Sequence, residues 1–278
     1  MTGQRLYKPR PPLAGHIEYF GYWQGNNASG PHTSRALPRG AVTAIIDVDG
    51  GTDLGFYASD GRTPLTVPPA FVAGAGPAAY VIRVVPAHTV MTIHFRPAGA
   101  LAFLGCPLGD LEDALVGLGD LWGSGAELLR ERLIEARSAQ HRVDLLEQFL
   151  LARIRHGHRW PQPDVTSVLR YAELNPSMRV SKAQVLTGLS AKRFNTLFRS
   201  EVGLSPKAYL RVRRLQAVLR ALNTPAQGAA IAADLGYFDQ AHMVREFREF
   251  TGITPTQYAC RRSSMPGHVE LAATPQPG

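Results

Sequence analysis

The sequence predicts an α+β protein whose two structural classes are separated along the chain. A β-rich N-terminal part, a sandwich or open barrel with helices, precedes an all-α part of two helix-turn-helix units joined by a long helix. Three observations carry this prediction. Residues 41–97 hold four short β-branched or alternating runs separated by turn residues, with no helical period between them. Residues 180–198 (VSKAQVLTGLSAKRFNTLF) and 228–247 (GAAIAADLGYFDQAHMVREF) repeat one pattern of short helix, glycine turn and second helix with aromatic anchors. The net charge of +8 is also unevenly divided: residues 1–178 hold 16 Lys or Arg against 16 Asp or Glu, and residues 179–262 hold 14 against 5.

A length of 278 residues suits two domains, each large enough to bury a core. No apolar run reaches membrane-spanning length, and the opening MTGQRLYKPRPPLAGHI carries no hydrophobic signal segment, so a cytoplasmic location is expected. Cys106 and Cys260 fall in different predicted domains and give no disulfide framework, which suits a reducing compartment.

The strands are expected at residues 41–49, 69–74, 78–85 and 88–97, with Pro86, Ala87 and His88 as a hairpin connection between the last two. Residues 97–136 then turn helical. Residues 142–154 form a further amphipathic helix whose stripe of Val143, Leu146, Phe149, Leu150 and Ile154 covers the β domain or pairs with a second copy of the chain. Packing within the chain is the expectation. The prolines of HGHRWPQP stop that helix, and Asp164 caps the next. The tail after residue 262 has no periodicity and is expected to be disordered. The expected organisation is a β-rich domain over 1–155, a linker over 156–163, a double helix-turn-helix domain over 164–262 and a tail over 263–278.

In the second unit Ile231, Ala232 and Leu235 form an apolar stripe, and Gly236 supplies the turn because glycine takes positive φ without penalty. Asp239 caps a helix whose Met243, Phe247 and Phe250 face inward, leaving Gln240, Ala241, His242 and Arg245 outside. In the first unit Ser190 is the cap and Phe194, Leu197 and Phe198 are the anchors, with Lys192, Asn195, Thr196 and Arg199 outward. Side chains of this kind hydrogen-bond base edges in a major groove. Residues 205–222 form the connecting helix. Its apolar face of Ala208, Val212, Leu215, Leu219 and Leu222 leaves Lys207, Arg211, Arg213, Arg214 and Arg220 on the remainder. The basic excess of this half is the electrostatic footprint of a nucleic-acid domain.

The tandem units, the connecting helix and the closing GITPTQY resemble the DNA-binding module of the AraC/XylS family of transcription regulators. The resemblance implies a two-unit reader of double-stranded operator DNA, with a small-molecule effector, RNA polymerase and a second copy of the chain as further candidate partners, and no membrane. Carried over by position, it implies base reading by Lys192, Asn195 and Thr196 in the first unit and by Gln240, Ala241, His242 and Arg245 in the second. Arg193, Arg199, Lys207 and Arg248 would hold phosphates. This chain has Gln184 where the family has a small residue and Thr196 where members often place an arginine, so the second unit keeps the pattern better. The N-terminal half resembles the β-rich domain found ahead of some AraC-type modules, through Tyr22-Trp23, LPRG at residues 37–40 and HFRPAGALAFLGCPLGDL at residues 94–111, and more weakly a cupin-like barrel.

A pocket in that domain has candidate lining residues in Trp23, His94 and Arg96. Trp23, with Tyr19 and Tyr22 nearby, lines that pocket or is simply core, and core is the expectation. His94 and Arg96 share one strand face with Val90 and Thr92, opposite Met91, Ile93 and Phe95. That face lines the barrel, where the pair would bind an anionic effector, or it meets water, which is the expectation. His16, His32, His88 and His94 are too scattered for a metal site, and the one His-x-His, His156 and His158, lies in the linker. AGAGPAAY lacks the third glycine and the following helix of a dinucleotide loop. No metal, cofactor or catalytic residue is therefore expected, although a cupin-like small-molecule enzyme or binding protein carrying a helical module is the alternative class.

Overall fold

The computed structural model describes residues 5–25, 32–49, 54–84, 88–156, 160–224, 228–261 and 267–271. The N-terminal strands are β1 (Arg5–Tyr7), β2 (Ile17–Gln24), β3 (His32–Ala36), β4 (Thr43–Asp47), β5 (Phe56–Tyr57), β6 (Pro64–Leu65), β7 (Ala70–Ala73), β8 (Tyr80–Val84) and β9 (Thr89–Phe95). Helix α1 (Leu101–Leu104), a 3-10 turn at Leu108–Leu111, strand β10 (Leu115–Gly117) and helices α2 (Leu118–Trp122), α3 (Ser124–Glu135) and α4 (Ala139–His156) follow. The C-terminal half comprises α5 (Pro163–Leu174), α6 (Val180–Thr187), α7 (Ala191–Val202), α8 (Pro206–Ala221), α9 (Gly228–Asp234), α10 (Gln240–Thr251) and α11 (Pro255–Cys260), and then one more strand, β11 (His268–Glu270).

The strands form two sheets, ordered β1-β2-β9-β4-β7-β10 and β11-β3-β8-β5-β6. The period of two decides what each face does. In β9, Met91, Ile93 and Phe95 are fully buried under α1 to α4, while Val90, Thr92 and His94 face the space between the sheets. Each large apolar side chain so buried contributes about 1.5–3 kcal/mol. On α4, Val143, Leu146, Leu150 and Ile154 are buried in the same core, so this stripe covers the β domain within the chain.

Three expectations are corrected. Strands β8 and β9 do not form a hairpin: β8 pairs with β3 and β5, and β9 pairs with β2 and β4 in the other sheet. Crossing between sheets gives both strands a buried face on the shared interior, which a hairpin at one edge would not. Residues 97–136 are not helical throughout, because Leu115–Gly117 pairs with β7. The tail is not wholly without structure: His268, Val269 and Glu270 add a strand antiparallel to β3, opposite Ala36, Arg35 and Ser34. Val269 is fully buried there, which fixes the segment despite its lack of periodicity. Residues 157–159, within the expected linker, lie outside the described residues.

The helical half has its own core, built on Phe194, Phe198, Tyr209, Val212, Leu215, Met243 and Phe247, and that core also takes in Leu37, Ala75 and Ala98 of the β domain and Val269 of β11. Polar contacts reinforce the junction. Arg35 Nη1 donates to the Thr251 carbonyl at 3.0 Å, and Gln216 Nε2 donates to the Pro38 carbonyl at 2.5 Å. The segment 37–40 therefore packs directly on α8.

Candidate nucleic-acid interface and inner cavity

Both helix-turn-helix units form with the expected caps. The Ser190 hydroxyl accepts from the Arg193 backbone N–H at the start of α7, and the Asp239 carboxylate accepts from the His242 N–H, 2.6 Å, at the start of α10. Each satisfies a backbone donor the helix leaves open. The turn glycines Gly188 and Gly236 have φ of +65° and +71°, the left-handed region glycine enters freely. Phe194 and Phe198 in α7, and Met243, Phe247 and Phe250 in α10, are buried as their spacing requires.

On the outer face of α7, Lys192, Arg193, Asn195, Thr196 and Arg199 are exposed, and Lys192, Arg193 and Thr196 line a shallow groove with Ser190. Two of these side chains are engaged elsewhere. The Asn195 amide turns back on its own helix, Nδ2 to the Ala191 carbonyl at 2.8 Å. Arg199 reaches the other domain, Nη2 to Glu112 Oε2 at 2.9 Å. On α10, Gln240, Ala241, Arg245 and Arg248 are exposed. His242 is half-buried with its ring edge-on to Tyr237, and Nδ1 accepts from the Phe238 N–H at 3.4 Å, so it braces the turn. Lys207 is exposed in the first turn of α8. Phe238 is missed by the periodicity reading. It stands 92% exposed beside the Asp239 cap, in the turn between α9 and α10, where the apolar stripe of neither helix reaches it.

Not all the positive charge of this half is free. Arg211 Nε and Arg214 Nη2 meet the buried Glu246 carboxylate at 2.8 and 3.1 Å, tying α8 to α10, and Arg211 Nη2 also reaches Glu249 at 2.7 Å. Arg214 lies over the Tyr237 ring and Arg211 over Phe250. Burial pushes the Glu246 carboxyl up, but hydrogen bonds from the two guanidinium groups outweigh it and hold it below the ordinary carboxylate value.

The second feature is a cavity of about 180 Å³ between the two sheets. Its apolar end is walled by Ile45, Leu54, Phe56, Ile82 and Val90. Its polar end is built around His94, whose Nδ1 accepts from Arg39 Nη1 at 2.5 Å and whose Nε2 meets Thr92 Oγ1 at 2.9 Å. Tyr19 stacks on the imidazole at 4.3 Å, and Arg39 lies over Tyr19 and pairs with Glu18. His268, from β11, lines the same cavity. Burial, and then the Arg39 charge, holds His94 well below the ordinary imidazole range and His268 down at about 4. Trp23 and His94 thus line the cavity. Arg96 does not: it is exposed on the far side of the strand end, its Nε donating to the Ala14 carbonyl at 3.0 Å. Arg39 supplies the cation instead, from a connecting segment that strand periodicity does not reach. Among the described residues no group of three His, Cys, Asp or Glu side chains is placed to hold a metal ion.

Two capped units sharing a core, each turning a polar helix face outward, define a tandem helix-turn-helix protein with a β-sandwich domain in front. The family model described as a helix-turn-helix domain matches residues 185–261, and one described as a domain of unknown function (DUF6597) matches residues 5–117. An uncharacterised HTH-type transcriptional regulator of Haemophilus influenzae is 32% identical over 74 residues, which are 26% of this chain and 25% of that protein. The chain thus spans a quarter of the length of that curated relative. Among solved structures, the DNA-binding domain of AdpA in complex with a target DNA is 21% identical, with 35% of this chain and 90% of that one covered and a TM-score of 0.34. ToxT from Vibrio cholerae is 11% identical, with 94% and 97% covered and a TM-score of 0.43. The C-terminal module thus contains a helix-turn-helix domain over residues 185–261.

Proposed function

We propose that the protein is a cytoplasmic, sequence-specific, DNA-binding transcription regulator whose β domain senses a small molecule in the cavity between its sheets. One observation carries the reading: α7 and α10 each start at a capped turn, bury an aromatic face and expose a polar, basic one, within a segment that holds the chain's whole positive excess. The two helices read successive major-groove segments on one face of the duplex, with α8, about 24 Å long at 1.5 Å per residue, as the spacer. Lys192, Thr196, Gln240, Ala241 and Arg245 meet base edges, joined by Asn195 once its amide leaves the helix backbone and by His242 through its free ring nitrogen. Arg193, Lys207 and Arg248 hold phosphates, as does Arg199 when it is released from Glu112. Phe238 adds an apolar contact at the rim of the second unit.

The test is fluorescence anisotropy of the full chain on its own upstream DNA and on a scrambled duplex over a salt series. Selective binding that weakens steeply with salt is expected, because each neutralised phosphate releases a counterion. Equal binding to both duplexes would defeat the reading.

A further inference from the structure

The cavity is closed on one side by a segment from the opposite end of the chain. The β11 backbone is fixed to both halves of the molecule: Leu37 N–H donates to the Gly267 carbonyl at 2.8 Å, Leu271 N–H to Thr33 at 2.9 Å, and Glu270 N–H to Arg261, just after α11, at 3.1 Å. His268 sits opposite Ala36, which also lines the cavity, and its Nδ1 is 3.3 Å from Ser34 Oγ.

The polar end then gathers a guanidinium and two imidazoles, Arg39, His94 and His268, with the hydroxyls of Tyr19, Thr43 and Thr92, while Arg83 and His88 are the other basic side chains along the cavity lining. The acid beside this group is Glu18, which is half-exposed and pairs with Arg39 from the solvent side. The sheet that carries His268 also contributes Tyr80, in register with Ala36, and its hydroxyl is buried without a hydrogen-bond partner. A buried donor left unpaired costs about 1–3 kcal/mol, so it marks a place for an acceptor.

We infer that the cavity binds a small organic carboxylate, its apolar body between Phe56, Ile82 and Val90 and its anionic head at Arg39, His94 and His268, and that β11 is a working wall of the site. The inference rests on the reading of this cavity as the effector site. A buried carboxylate is tolerated only when it is paired. Here Arg39 can exchange Glu18, which returns to water, for the ligand, and an anion beside His268 favours its protonated, donating form. Size limits the body: an apolar cavity of roughly 150 Å³ holds one benzene, so about 180 Å³ takes a single ring or a short branched chain. Two walls of the site, segment 37–40 on α8 and β11 beside the end of α11, touch the DNA-binding half, so an occupant acts on it directly.

Full-length protein is titrated by calorimetry with benzoate and 3-methylbutanoate and with benzamide and 3-methylbutanamide, in the wild type and in His268→Ala. The expected result is carboxylate binding at least about tenfold tighter than amide binding, and a loss of at least about tenfold in His268→Ala. Should that variant fail to fold, the His94 and His268 ring resonances of the wild type are followed by NMR as benzoate is added, and both are expected to move. Equal carboxylate binding by His268→Ala, or an unmoved His268 resonance, overturns the role of β11. Amides binding as well as acids overturns the ligand class while the effector cavity stands. Binding of none of the four compounds removes the effector cavity itself, and the inference with it.

Discussion

Arg199 on α7 is ion-paired across the domain boundary to Glu112, 2.9 Å from Nη2 to Oε2. The approach is close because Gly109 lies under it: a Cβ there would stand 2.9 Å from the Arg199 carbonyl oxygen. The same arginine cannot serve Glu112 and a DNA phosphate together. Glu112→Ala should therefore raise DNA affinity by about threefold and steepen the salt dependence by about one counterion, at a stability cost below about 1 kcal/mol because the pair is exposed. Anisotropy titrations at two salt concentrations check this.

Arg245 is exposed on α10 and has no acidic partner among the described ion pairs, unlike Arg199. Arg245→Ala should cost about 1–3 kcal/mol of binding and relax preference at one base pair. Weakening that is uniform over all duplexes would make it a phosphate contact instead.

The α8–α10 clamp gives a stability prediction. Glu246→Ala removes the partner shared by Arg211 and Arg214, but both arginines are partly exposed and Arg211 keeps Glu249, so it should destabilise the protein by about 1–3 kcal/mol in urea unfolding. The Glu246 carboxyl lies below its ordinary value of 4.5, so its contribution is fully present above about pH 4.5 and is lost as pH falls through the lower, folded-state value. Glu246→Gln should flatten the acid limb of the stability profile.

The buried imidazole of β11 acts at higher pH. His268 takes a proton at about 4 when folded and at its ordinary 6.5 when unfolded, so the unfolded chain binds the extra proton between these values. Stability should fall as pH drops from about 6.5 towards 4, and His268→Gln should remove part of that slope in urea titrations at pH 7 and pH 5.

The two helix-turn-helix units were legible because their signals are local, although α5 before them has Gln162 at its cap position, with Asp164 inside its first turn. Ser190 and Asp239 cap within three residues of the donors they satisfy, and Phe194, Phe198, Met243 and Phe247 declare the buried face by spacing alone. Strands β4, β7, β8 and β9 were legible from alternation for the same reason, whereas β1, β2, β3, β5, β6, β10 and β11 were not expected. Pairing was not: residues 86–88 carry turn chemistry, but the interior shared by β8 and β9 is made by residues distant in sequence. Arg39 and His268 escaped notice because one lies between strands and the other in an aperiodic tail, and only the folded cavity brings them to His94. Arg96 was misplaced because face-sharing along β9 holds only as far as the strand, which ends at Phe95.

The central claim, two recognition helices on one duplex, is tested most directly by a missing-contact footprint on the upstream site with wild type and Arg245→Ala. Two clusters of protected bases are expected on one face of the DNA, about one helical turn apart, with the variant losing contacts in one cluster only. A single cluster, or loss spread evenly over both, would contradict it.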